Sequence, residues 1–307
     1  MNRESLRKSI VIILMSVGII SWVTEAASAQ SPIADGAKLE KVATGFQFTE
    51  GPYWNGEEVL LFSDIPANAI YAWKPGDGME GANIYLKPSG HSNGIAVLNN
   101  GMLVVAQHDR KVSAINDQKE MKTLVNQYEG KRLNSPNDLA VKSDGSIYFT
   151  DPPFAVKKEN KELDFNGIYR IDPDGGLHLL SKTFEMPNGI AFSPDESKLY
   201  VNDSGTLKIM VFGVNEDGSL ANMREFADVS DPDAKSGAAD GMKVDREGNV
   251  YSTGRGGIWI FSPEGKLLDR IVMPERASNL AWGGKDGKML YITATSSIYR
   301  IRTMTSN

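Results

Sequence analysis

The 307-residue chain contains no cysteine, so neither a disulfide framework nor a thiolate metal site is available to it. Histidine is scarce, with three copies, which removes most of the ligand type that zinc and copper sites rest on. No cluster of Lys and Arg occurs in the body of the chain, and the formal net charge is −6. That balance argues against a nucleic-acid partner, whose phosphates need a basic footprint. H-E-x-x-H and P-loop signatures are missing, and no serine nucleophile elbow is read. Helical periodicity is weak throughout. Only one apolar run is long, residues 10–23. It follows the basic start Arg3, Arg7 and Lys8 and precedes Ala27-Ser28-Ala29, a small-residue cleavage pattern. The run falls short of the ~20 residues a membrane span needs, so an uncleaved anchor is the weaker alternative. Residues 1–29 are expected to be a signal peptide, leaving an exported protein, periplasmic or secreted, with no membrane attachment after its removal.

What is present is turn chemistry and repetition. Thirty glycines and fourteen prolines punctuate short segments rich in Val, Ile, Leu, Tyr and Phe, the composition of strands joined by tight turns. A unit seen most plainly in NGIAFSPDESKLYVNDS (188–204) recurs six times. Its copies begin EGPYW at Glu50, NGIAV at Asn93, NDLAV at Asn137, NGIAF at Asn188, DGMKV at Asp240 and SNLAW at Ser278, between 38 and 52 residues apart. A period near forty with several short strands per copy is the mark of propeller blades, which close into one body because none buries its faces alone. The expectation is all-β: a six-bladed β-propeller of four-stranded blades occupying residues 30–307. The sixth copy runs out of chain after its third strand, so residues 39–43 are expected to supply its outer strand and close the ring.

Inner strands of a propeller line a central channel, and their starts converge at one mouth. The two longest insertions, 152–166 and 230–239, fall on that same face, where long loops carry function. The six first positions are Glu50, Asn93, Asn137, Asn188, Asp240 and Ser278, all oxygen donors and two of them carboxylates. Such a set suits a hard cation such as Ca²⁺. Polar residues of a wet channel that cap strand starts give the same pattern. Two carboxylates aimed into one channel repel without a cation, which favours the metal.

The segments EGPYW, RLNSPND (132–138), IYFTDPPF (147–154), MPNGIAFSPDESKLYVNDS (186–204) and DGMKVDREGNVY (240–251) together resemble the SMP-30/gluconolactonase family, and RLNSPND with FTDPP its bacterial gluconolactonase-like branch. The resemblance covers nearly all of residues 30–307. It implies a divalent metal, most often calcium with Mg²⁺, Mn²⁺ or Zn²⁺ as substitutes, and hydrolysis of sugar-acid lactones. Carried over by position, it implies metal ligands at Glu50, Asn137, Asn188 and Asp240, with Asn137 contacting substrate in some members. Relatives that hydrolyse phosphofluoridates hold a second ion with an acid three residues past the DGM aspartate. Lys243 stands there in this chain, against a second site of that kind.

A lactone is an ester, so its hydrolysis needs a polarised carbonyl and an activated water. Asp240 is the expected base, and the resemblance points to the same residue. Substrate contacts are expected from Asn93, Asn137, Arg132, His91 and His108, the last two flanking the second blade's channel end; surface histidines and a solvated loop arginine are the plainer alternatives. Asp64, Asp151 and Asp203 each end a second strand, so Asp151 and Asp203 are candidates for a layer behind the ring, although Asp at strand ends is also ordinary turn chemistry. The expected partner is a small lactone. The alternatives are a binding platform stapled by a structural ion, and an organophosphate-ester hydrolase using the same site.

Overall fold

The computed structural model describes residues 31–307; the expected signal segment lies outside them. Six antiparallel four-stranded sheets follow one another, with a two-stranded hairpin, Gln127–Tyr128 and Lys131–Arg132, at the rim. The fourth copy shows the plan. Its strands Pro187–Phe192, Lys198–Asp203, Lys208–Val214 and Leu220–Asp228 pair in chain order from the channel outwards. The only helical element among the described residues is one 3₁₀ turn, Lys158–Asn160. None of their helices is long and apolar enough to cross a membrane.

Second strands are the most buried parts of the blades because both of their faces meet neighbouring sheets. Ile147–Asp151 and Val250–Gly254 are buried along their whole length. Aromatic side chains fill the gaps between blades: Tyr148 meets Phe192 edge-on, and Trp54 stacks on Tyr291 with centroids 5.2 Å apart. Such pairs contribute about 0.5–1.5 kcal/mol each beyond the area they bury.

Inner strands approach so closely that the position after four of the six polar residues has little room. A Cβ on Gly51 would lie 1.8 Å from the Asn93 carbonyl oxygen, and one on Gly189 would lie 2.3 Å from that of Asp240. Glycine there permits stitching between blades: Gly94 N–H donates to the Asn137 carbonyl (2.8 Å), Gly189 to Asp240 (2.7 Å) and Gly241 to Ser278 (2.6 Å). Side chains of the second strands add to this ring. Ser63 donates to the Asn93 carbonyl, Thr150 to that of Asn188 and Asn202 to that of Asp240.

The ring closes as the short final copy requires. Glu40–Thr44 pairs antiparallel with Ser297–Arg302, in the order of closing strand, third, second and inner strand. Val42 and Ala43 are buried there among Phe62, Tyr291 and Ile298. Removing residues 31–45 exposes that sheet edge and its apolar contacts. The expected cost is about 3 kcal/mol or more, a fall in Tm of roughly 6–12 °C. Thermal circular dichroism against the chain starting at Ser31 checks this, and an unchanged Tm would contradict the closing role.

Candidate active site in the channel mouth

Glu50, Asn93, Asn137, Asn188 and Asp240 are all buried at the starts of inner strands. The Glu50 carboxylate is tied on one side only. Its Oε2 accepts from Gly51 N–H (2.6 Å) and from Asn279 Nδ2 (3.0 Å), whereas Oε1 is buried with no partner. Asp240 is close enough to Glu50 for their charges to interact, and its Oδ2 accepts from Arg276 at 3.0 Å. Burial, then the charges of Asp240 and Asp138, hold the Glu50 carboxyl well above the usual carboxylate range. Burial raises Asp240 as well, against the opposing pull of the Arg276 guanidinium. Acids held above their usual range by desolvation bind a proton tightly, and the same desolvation favours a cation.

The amides fall in with this. Asn188 gives its NH₂ to Ser204 (3.0 Å). Asn93 places its NH₂ 3.3 Å from His108 Nε2, leaving Oδ1 buried without a partner. Burial, reinforced by the nearby His91, pushes His108 down to about 4, so its ring is neutral at pH 7. Orphaned oxygens on Glu50 and Asn93, beside a second carboxylate and further amides, fit a hard cation that takes oxygen ligands. No group of three His, Cys, Asp or Glu that could hold an ion occurs among the described residues. Amide oxygens therefore have to complete any sphere begun by Glu50 and Asp240.

Other expected residues fall elsewhere. The Ser278 hydroxyl turns into the wall, donating to the Thr49 carbonyl at 2.6 Å. His91 is half-exposed and pairs with Asp109 (2.8 Å). Arg132 sits on the exposed rim hairpin. With Arg110, Lys157 and Lys161 it lines a separate cavity of about 560 Å³ that contains none of the first positions. Asp203 is spent on backbone N–H groups of Glu185, Met186 and Gly205, which shapes the loop leading to Asn188. Asp64 does the same for Gln47 and Phe48. Asp151 is fully buried and accepts from Asn134 N–H (2.8 Å) through Oδ2, with Oδ1 unpartnered.

Sequence reasoning missed three contributors. Asp138 and Asn279 occupy the position after the polar residue, where the other four copies have glycine, and this contrast within the repeat was the available signal. They fill the space the glycines leave: a Cβ on Gly241 would lie 2.1 Å from Asn279 Cγ, and one on Gly94 would lie 2.7 Å from Asp138 Oδ1. Asn279 Nδ2 bridges Glu50 Oε2 and Asp138 Oδ2 (3.3 Å), and Lys243 Nζ lies 4.0 Å from the same Asp138 oxygen. The third, Arg276, precedes the sixth inner strand and had no pattern to betray it. One correction concerns serine. Gly90-His91-Ser92-Asn93-Gly94 does have the G-x-S-x-G spacing, which the sequence reading passed over. Ser92 is wholly buried at the start of the strand Ser92–Val97, its hydroxyl 2.9 Å from that of Ser63. It opens no helix, and among the described residues neither neighbouring histidine hydrogen-bonds it, so it is not a nucleophile elbow.

A cavity of about 700 Å³ lies where the inner strands end, at the opposite mouth. It is walled by Tyr53, Trp54, Val97, Phe192 and Trp282 and contains none of the first positions. The buried unpartnered oxygens of Glu50 and Asn93 lie outside that cavity's lining.

Fold and channel together define a class: six-bladed propellers that gather buried carboxylates and amides at one end of a central channel. Residues 48–296 match the family described as SMP-30/Gluconolactonase/LRE-like region, and the chain belongs to that family. It is 38% identical over 297 residues to a gluconolactonase of Zymomonas mobilis, covering 87% of this chain and 82% of that one. An L-arabinolactonase of Azospirillum brasilense is 35% identical over 156 residues, 49% of this chain and 50% of that protein. The solved structure of a gluconolactonase from Xanthomonas campestris has a TM-score of 0.79 and 34% identity, covering 89% of this chain and 91% of its own.

Asp151 allows a test by pH. Burial pushes its carboxyl up to about 7, against ~3.9 for a free aspartate. The folded state therefore binds this proton more tightly. Its contribution to stability is complete below pH ~4 and is lost as pH rises toward 7. Asp151→Asn removes the titration, so its stability relative to wild type should improve by on the order of 4 kcal/mol between pH 4 and 8. Urea unfolding at both pH values checks this; a difference that does not change with pH would contradict the buried-acid assignment.

Proposed function

We propose that the protein hydrolyses a sugar-type lactone, with gluconolactone as the representative substrate, using a divalent cation, first of all calcium, at the channel mouth. The observation that carries this reading is the unpartnered Glu50 Oε1, buried beside a second raised carboxylate. Glu50, Asn137, Asn188 and Asp240 would hold the ion, and the named relatives supply the reaction class. A calcium ion bound there supplies Lewis-acid polarisation of the lactone carbonyl and charge to offset the oxyanion.

The chain's own residues do the rest. Asp240 accepts a proton from the attacking water as the water oxygen bonds to the carbonyl carbon. The ring C–O bond then breaks, and Asp240 returns the proton to the departing ring oxygen. Burial keeps this carboxylate basic. Neutral His108 and the Asn93 amide offer hydrogen bonds to sugar hydroxyls without adding charge. The basic start, apolar run and small-residue site at the N-terminus support export, with residues 1–29 removed.

A pH-drop assay on gluconolactone tests the reading. Chelator should abolish turnover and added Ca²⁺ should restore it. Asp240→Asn should bind calcium yet lose about 10²–10⁴-fold in kcat, the usual worth of a general base. A folded, calcium-loaded protein inert on every aldonolactone would instead indicate a binding platform.

A further inference from the structure

Among the described residues Arg276 is the one cation that pairs with an expected ligand, Asp240, and its setting is unusual. The backbone on either side of it is fixed. Glu275 just before it is held by Lys41 (2.7 Å), Ser297 (2.8 Å) and Tyr299 (2.6 Å). The buried inner strand Ala277–Gly283 begins just after it. Its side chain is nonetheless 44% exposed, while the Asp240 side chain it pairs with is 6% exposed. The guanidinium lies over the Phe48 ring, 5.8 Å from the centroid, and Phe48 is itself placed by Asp64. Among the described residues its only hydrogen bond is the one from an Nη to Asp240 Oδ2. Arginine has five N–H donors in a planar fork, so four have no protein partner among the described residues, on a side chain that is half-exposed.

This arrangement has a chemical consequence. A guanidinium and a dication at one carboxylate repel each other strongly where water is scarce. Entry of the cation therefore disfavours the Arg276–Asp240 pair. The released fork stays at the mouth, since its backbone is pinned and Phe48 supports its face. Opening a lactone creates a carboxylate at the reacting carbon, and a planar fork pairs with a carboxylate through two parallel hydrogen bonds.

We propose that Arg276 is the residue that anchors the acyl end of the substrate: it guards Asp240 in the metal-free protein, yields to the cation, and then binds the carboxylate that ring opening generates. The second half rests on the lactonase reading, and the first half does not.

The test uses the full exported chain, wild type, Arg276→Met and Arg276→Lys, with two readouts. Calorimetric titration of the metal-free proteins with Ca²⁺ should show Arg276→Met binding about fivefold tighter or more, because a competing cation has gone. Arg276→Lys should stay near wild type. Inhibition of calcium-loaded enzyme by gluconate should weaken about tenfold in Arg276→Met, and nearly as much in Arg276→Lys, since an ammonium lacks the fork. KM for gluconolactone should rise with little change in the pH profile. Opposite movement of the two affinities is what a merely structural residue would not produce. Calcium and gluconate affinities that both stay at the wild-type value, or both weaken in step, overturn the proposal. If wild type hydrolyses no lactone, the functional reading falls together with the gluconate half, and the calcium titration still decides whether Arg276 competes for Asp240.

Discussion

The structure depends on one electrostatic constraint, the burial of Glu50 and Asp240 against each other. Neither is tolerable there as a bare anion, because a desolvated like-charged pair costs several kcal/mol unless protons, donors or cations compensate it. Each nearby feature answers part of that demand. Gly51 and Asn279 satisfy one Glu50 oxygen, Arg276 satisfies one Asp240 oxygen, and Lys243 offsets Asp138 further down the channel. What they leave open is one oxygen of Glu50. That oxygen, with the unpartnered Oδ1 of Asn93, has to find its partner from outside.

The same compactness that makes the barrel makes this selection possible. Inner strands meet closely enough that only glycine fits at most second positions, and there the backbones of adjacent blades bond directly. Where the glycine is replaced, by Asp138 and Asn279, a side chain enters the channel and bridges carboxylates that belong to different blades. Structure and site thus share one set of backbone contacts, and strain in one is felt by the other.

Much of this was readable from the chain. Six polar first positions, their spacing and the short last copy led to the blade count and the closing strand, because burial of strands against neighbours imposes a period the eye can find. Glu50 and Asp240 stood out as the two acids among amides. Arg276 did not, because it lies one step outside the repeat and its reach depends on a loop pinned by Glu275. Arg132 looked well placed beside Asn134 and Asn137, yet the rim hairpin carries it outward. Proximity in sequence is a poor guide where a loop reverses. Asp151 and Asp203 ended equivalent strands and met different fates: the carboxylate of Asp203 is wholly used by backbone N–H groups, and that of Asp151 is not.

Ring closure has a kinetic meaning too. The closing strand Glu40–Thr44 pairs with Ser297–Arg302, and Lys41 within it holds Glu275, the neighbour of Arg276. Contacts between such distant parts of a chain are slow to form, because loop entropy is spent before they reward it. The loop that presents Arg276 is therefore pinned only once the first and final blades have met. A partly made array of blades would carry the acids without their guard, so acquisition of a complete site reports completion of the fold.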